Sequence, residues 1–181
     1  MKVFDIVTDK KFLHQKCDEV TFPLTKEEKE TLLEMVEYLK VSQNEELSKE
    51  YDIRPGVGLA ANQIGIKKRM IAIYFQEDEN KIHEYALVNP KLVSYSVKLC
   101  CLDNGEGCLS VPKDVEGYVY RYYKTTVKGY DAITNKEVTI KARGYLSIVL
   151  QHEMDHLDGK LYTDRIDPKD PFKIIEDAIL I

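Results

Sequence analysis

One stretch limits what this chain can become more than any other: Gln151-His152-Glu153-Met154-Asp155-His156-Leu157-Asp158-Gly159. It contains His-Glu-x-x-His. On a helix, residues four apart project from one face a single turn apart, so His152 and His156 can grip one cation. Glu153 lies beside that face and can take a proton from a water at such a site without being a ligand itself. The upstream spacing predicts the helix. Tyr145, Ile148, Val149, His152 and His156 fall at i, i+3, i+4, i+7 and i+11, a stripe that runs into the two imidazoles. Leu146, Leu150, Met154 and Leu157 make the other side apolar too, so this helix is expected to be central and covered on most faces. Gly159 suits the position just past a helix end, where a positive φ is favoured. The chain has 4 histidines, and two of them stand in this pattern, which favours a metal site over a chance match.

A chain of 181 residues is expected to form a single domain over residues 1–181 with a substantial core. Its net charge of −5, from 26 basic and 31 acidic residues, argues against general affinity for nucleic acid or anionic membranes. No apolar run approaches the length of a spanning helix. The start, Met-Lys-Val-Phe-Asp-Ile-Val, is broken by charge and does not read as a signal peptide. Cys17, Cys100, Cys101 and Cys108 have no spacing of a disulfide framework, so a reducing, cytoplasmic location is expected.

Residues 1–24 read as an irregular arm. Thr25-Lys26-Glu27-Glu28 fits a capping box, and Leu32, Leu33, Val36 and Leu39 give the stripe of a long N-terminal helix. The charged stretch from Gln43 to Asp52 either extends that helix or forms a solvated surface insertion. In Arg54-Pro55-Gly56-Val57-Gly58-Leu59-Ala60-Ala61-Asn62-Gln63, proline and two glycines end the helix and permit close backbone approach. This segment is either a tight packing turn or a phosphate cradle, although it lacks the Lys-Ser/Thr ending of the latter. Strands are expected at Arg69–Phe75, Tyr85–Val88, Lys91–Leu102, Tyr118–Tyr123, Thr125–Asp131 and Glu137–Ala142, the last two as a hairpin. Ala178–Ile181 suits a short edge strand, and Pro171 keeps the tail from forming a long helix. The fold class is therefore α+β: short, mostly antiparallel strands around a central metal-binding helix, with one long helix towards the N-terminus.

A catalytic metal usually has three protein ligands and one open position. Downstream of His156 the chain offers Asp158, Asp164, Asp167, Asp170, Glu176 and Asp177, but no histidine. Upstream, Cys108 sits in Gly105-Glu106-Gly107-Cys108-Leu109-Ser110-Val111-Pro112. It can ligate as a thiolate, or it can be a small buried hydrophobe. Spacing leaves the third ligand open.

Three segments together resemble the signature motifs of peptide deformylases, in that family's order: Gly56–Gln63, Glu106–Ser110 and Gln151–His156. The resemblance covers nearly the whole chain. The first helix, the charged stretch before Gly56 and the tail resemble the bacterial subclass that carries inserts. Asn62 stands at a position the motif leaves free, where proline is common. The resemblance implies a metal-dependent hydrolase that removes the N-formyl group from the initiator methionine of newly made polypeptides and releases formate. It implies Cys108, His152 and His156 as metal ligands, Glu153 as the proton acceptor and donor, and the Gln63 amide with the Leu109 backbone N–H as oxyanion donors. It places Val57, Gly58, Gly107, Tyr145, Ile148 and Val149 along the substrate cleft, and Glu106 with Arg121 in a supporting ion pair. Ferrous iron is the expected physiological ion, with Zn2+ or Ni2+ in purified protein because affinity for them is high. The expected partners are N-formylmethionyl peptides of nascent chains, near the ribosome, with no direct nucleic-acid or membrane binding. Two rival readings stand beside it. In an ordinary zinc protease an acid would be the third ligand and Cys108 dispensable. A non-catalytic formyl-peptide binder would have no use for an intact Glu153 and Gln63.

Overall fold

The computed structural model describes residues 1–181. The arm at residues 1–24 is not wholly irregular, because Asp9 caps a single helical turn, α1 (Lys10–Leu13). Helix α2 (Lys26–Ser42) starts on the expected capping box, with Thr25 and Glu28 satisfying each other's backbone N–H groups. It buries Leu32, Met35, Val36 and Leu39. Leu33, expected on that stripe, is 40% exposed. Met35 fills its place, since 32, 35, 36 and 39 lie on one helical face and 33 points away from it. The charged stretch does not extend α2. Asn44 accepts hydrogen bonds from the Glu46 and Leu47 N–H groups and starts a separate helix, α3 (Glu45–Glu50), which buries nothing.

The glycine-containing segment becomes a short strand, β1 (Gly58–Ala60), followed by a 3-10 turn at Ala61–Ile64. Strands β2 (Met70–Asp78) and β3 (Lys81–Tyr95) pair antiparallel across a tight polar turn. β3 spans 15 residues, joining the expected Tyr85–Val88 to the first part of the expected Lys91–Leu102, whose last residues form a separate strand. It passes through Asn89 and Pro90 because the register shifts between Val88 and Lys91, which removes the need for a proline N–H in the ladder. Asn89 adopts φ 50° and uses its side chain to pair with both backbone groups of Val20, at 2.8 and 2.9 Å, fastening the arm to the sheet. β4 (Leu99–Cys101), β5 (Arg121–Tyr122), β6 (Lys124–Asp131) and β7 (Lys136–Arg143) follow. The helix α4 (Tyr145–Leu157) and a last short strand, β8 (Ile179–Leu180), complete the chain. One sheet has the order β1-β2-β3-β6-β7 and is antiparallel throughout; the other has the order β5-β4-β8, with β8 parallel to β4. The expected β6–β7 hairpin is present, whereas the expected strand at Tyr118–Tyr123 is reduced to its two residues of β5.

Alternation along β2 divides the core. Met70 and Ala72 join Leu32, Met35, Leu39 and Leu59 in one cluster, while Ile71 and Ile73 join Val127, Ile140, Val149, Leu150 and Leu157 in another. Helices α2 and α4 therefore cover opposite faces of the five-stranded sheet, and β2, buried on both faces, reads as a continuous apolar run. The C-terminal end of α4 is held against the arm. The Cys17 N–H donates to Leu157 O at 2.9 Å, and Gly159, at φ 71°, passes so close to His14 that a Cβ would lie 2.5 Å from its carbonyl oxygen. All four thiols are free and buried. No helix is long and apolar enough to cross a membrane.

Candidate active site

Three distant segments meet on α4. The helix brings His152, Glu153 and His156; the loop after β4 brings Glu106, Cys108, Leu109 and Ser110; the turn after β1 brings Asn62 and Gln63. The donor atoms of Cys108, His152 and His156 all lie within 4.8 Å of one another. Cys108 Sγ is 3.4 Å from His156 Nε2. His152 Nδ1 sits 2.8 Å from Glu106 Oε1, which places a proton on Nδ1 and turns Nε2 towards the thiol. The downstream acids do not join the group. Asp158 pairs with Arg69 at 3.0 Å, Asp164 with His14 at 2.9 Å, and Asp167 accepts from its own following backbone.

The electrostatics suit a cation. Burial holds the His156 pKa well below its ordinary value, which gives the neutral imidazole a ligand needs. Burial pulls His152 the same way, but the Cys108 sulfur and the Glu106 carboxylate override it and raise its pKa well above the ordinary value. Groups that hold a proton so firmly at this point also favour a divalent ion there, and one thiolate with two imidazoles is a donor set that zinc and neighbouring transition metals accept.

Behind the histidines lies a buried ionic network. Arg121 donates to Glu106 through Nε and Nη2, at 2.7 and 2.9 Å, and to Asp155 through Nη1 at 2.9 Å. Arg165 donates to both oxygens of Asp155, sharing Oδ2 with Arg121. Burial opposes ionisation of both acids, yet His152 and Arg121 hold Glu106 below the usual carboxylate range, and Arg165 with Arg121 does the same for Asp155. The expected Glu106–Arg121 pair is thus a bidentate contact, with Asp155 and Arg165 as further members.

The open side differs. Glu153 Oε1 is 3.8 Å from His152 Nε2, and Glu153 Oε2 has no hydrogen-bond partner although the residue is only 4% exposed. Burial raises its pKa to about 7 against the pull of His152 and Arg121. Gly58 makes room for it, since a Cβ there would lie 2.6 Å from Glu153 Oε1. Gln63 is oriented through both ends of its amide: Oε1 accepts from the Ala60 N–H at 2.9 Å, and Nε2 donates to Ser110 Oγ at 3.0 Å, 3.4 Å from Cys108 Sγ. The Leu109 N–H donates to no protein acceptor.

A cleft of about 360 Å³ opens on this side. Val57, Gly58, Gly107, Tyr145, Ile148 and Val149 all line it, together with Gln63, Cys108, Leu109, His152 and Glu153. His156 lies behind them, fully buried. Sequence reasoning missed Gln43 and Arg54, in stretches read as surface and turn, and Asp114, in a stretch left unassigned; all three also line the cleft. It missed the role of Ser110 as the acceptor for Gln63, although Ser110 closes the second motif. Arg165 carried no sequence signal.

A site that can hold one divalent ion beside a carboxylate nothing ties down marks a class, the hydrolases that work with a metal. Comparison with known proteins narrows it: residues 3–172 match the family described as Polypeptide deformylase. The chain belongs to that family. It is 47% identical over 169 residues to "Peptide deformylase 2" of Geobacillus stearothermophilus, covering 93% of this chain and 91% of the relative. It is 48% identical over 169 residues to "Peptide deformylase 2" of Bacillus subtilis (strain 168), with the same coverage of 93% and 91%. The crystal structure of the Ehrlichia chaffeensis peptide deformylase in complex with actinonin superposes with a TM-score of 0.76 at 30% identity, covering 94% of this chain and 92% of that one.

Proposed function

We propose that Cys108, His152 and His156 hold one divalent ion, that Glu153 moves the proton, and that Gln63 and the Leu109 N–H receive the developing oxyanion. The chain is a peptide deformylase, a hydrolase that removes the formyl group from N-formylmethionyl peptides of newly made polypeptides and releases formate. The observation that carries the residue roles is the meeting of three buried donor atoms within 4.8 Å beside a buried carboxylate oxygen with no partner.

When bound, the ion supplies Lewis-acid activation of water and of the formyl carbonyl. Glu153 Oε2 accepts a proton from the attacking water and returns it to the amine nitrogen as the C–N bond breaks. A carboxyl pushed towards neutrality by burial is suited to both halves of that exchange. Gln63 Nε2 and the Leu109 N–H donate to the formyl oxygen as it gains charge. Ile148 and Val149, one turn before His152, offer an apolar wall for the methionine side chain, with Val57 and Tyr145 beside them. Gly58 and Gly107 let the peptide backbone approach. On this reading α4 is the metal-binding helix, residues 1–181 form one catalytic domain, and the enzyme works in the cytoplasm near the ribosome. Ferrous iron is the working ion, and zinc or nickel replaces it in purified protein.

The test is formate release from formyl-Met-Ala-Ser under anaerobic conditions, with metal analysis of the same sample. The expected result is one ion per chain, turnover, loss of the ion in Cys108→Ser, and retained ion without turnover in Glu153→Ala. The iron form should lose activity in air, and the zinc form should be slower and more durable. Metal retained in full by Cys108→Ser would hand the third ligand to an acid.

A further inference from the structure

Three buried side-chain atoms have no hydrogen-bond partner within the protein: Glu153 Oε2, Asn62 Oδ1 and His156 Nδ1. The first belongs to a residue that lines the cleft and is taken up by the reaction proposed above. The other two complement each other, one an acceptor and the other able to carry a proton. They also belong to residues already in contact, because Asn62 Nδ2 donates to the His156 carbonyl oxygen at 2.8 Å. That carbonyl fixes which way the amide points, since only the NH2 end can face it. The nitrogen and oxygen of the amide share one carbon, so anchoring Nδ2 on residue 156 keeps Oδ1 beside the same residue. Asn62 and His156 are 1% and 0% exposed.

A ligating imidazole ordinarily gives its second N–H to an acceptor, which fixes its tautomer and orientation. His152 has one in Glu106. No other protein group provides one for His156. We propose that Asn62 is the positioning residue for His156. Its Nδ2 holds the backbone at the C-terminal end of α4, and its Oδ1 accepts the Nδ1–H through one buried water, so that Nε2 is presented to the ion. Asn62 adjoins Gln63, so a single turn aligns a ligand and an oxyanion donor. The assignment rests on the metal reading above.

The test uses the zinc-loaded full chain. Wild-type protein must first bind one zinc per chain; without that, the metal reading fails and this assignment falls with it. Zinc release to excess chromophoric chelator is then timed for wild type, Asn62→Leu and Asn62→Asp. Loss of the partner of a metal-bound histidine typically costs about 10–100-fold in metal affinity, and Asn62→Leu should release zinc faster by a factor of that order. Asn62→Asp keeps the acceptor and loses the donor, so its release should stay closer to wild type than to the leucine variant. Release from Asn62→Leu equal to wild type, or from Asn62→Asp as fast as from Asn62→Leu, would overturn the assignment; the second result would leave Asn62 only a fastener of backbone. Nitrogen-15 NMR of histidine-labelled wild type gives an independent answer even where a variant fails to fold. A slowly exchanging, hydrogen-bonded His156 Nδ1–H is expected, and an Nδ1–H exchanging freely with solvent excludes the role.

Discussion

The two sides of α4 are built to opposite rules. Behind His152, Glu106, Arg121, Asp155 and Arg165 satisfy one another at 2.7–2.9 Å in the contacts of Arg121. In front, Glu153 Oε2 is buried and unpaired, and the Leu109 N–H has no acceptor. A closed ionic network resists movement and fixes the imidazole it touches, whereas buried polar atoms without partners cost stability unless something arrives to meet them. On the proposed reading, the difference separates residues that hold the site from residues that act in it.

Breaking the front should affect rate and spare the fold. Glu153→Gln is expected to cut formate release by about 10²–10⁴-fold, the usual worth of a positioned acid–base group, with thermal stability unchanged or raised because a buried carboxylate has been neutralised. Breaking the back should do the reverse. Arg121→Met leaves Glu106 and Asp155 buried without their shared cation, and chemical denaturation should register a loss of about 3–5 kcal/mol. A substitution on the boundary sharpens the contrast: in Gly58→Ala the new methyl displaces the Glu153 carboxylate, with a fall in kcat of about 10- to 100-fold for a shift of that size and little change in the denaturation midpoint. Equal damage to stability in Gly58→Ala and Arg121→Met would erase the distinction.

The smallest effect concerns buried groups that belong to neither side. Burial pushes the Cys17 and Cys100 thiols from 9.0 up to about 11. A raised folded pKa means that the protonated thiol is favoured in the fold. That contribution is whole below pH 9 and is lost as pH rises towards about 11. Denaturation midpoints should decline across this window, and Cys17→Ala should decline less steeply than wild type. Neither thiol should react with an alkylating agent at neutral pH while the protein is folded.

Legibility in the sequence followed the same physical divide between local and distant. Helix α4 could be read whole, because one helical period records both its burial and its histidine pair. The α2 capping box and the β6–β7 hairpin were equally local. Helices α1 and α3 were missed or blurred because a cap, Asp9 or Asn44, makes them rather than an apolar stripe. β3 was split in two because Asn89-Pro90 reads as a break, and only the register shift lets the strand continue. Position 33 was misplaced because two adjacent leucines offer two possible stripes. In the site, His152, Glu153 and His156 announced themselves through spacing, whereas no periodicity ties Cys108 or Gln63 to them; only the family resemblance did so. Arg165 and the pairing of Asn62 with His156 depend on tertiary contact and left no trace in the chain.

Gly159 lies at the far end of α4 from the cleft, with φ 71° and the His14 carbonyl where a Cβ would stand 2.5 Å away. A saturation screen for growth or turnover would therefore rank this glycine among the least replaceable positions, beside residues that handle the formyl group. Intolerance there would report steric exclusion at a seam of the scaffold, and anyone mapping function from such a screen would have to separate it from chemistry by assaying how much intact enzyme each variant leaves behind.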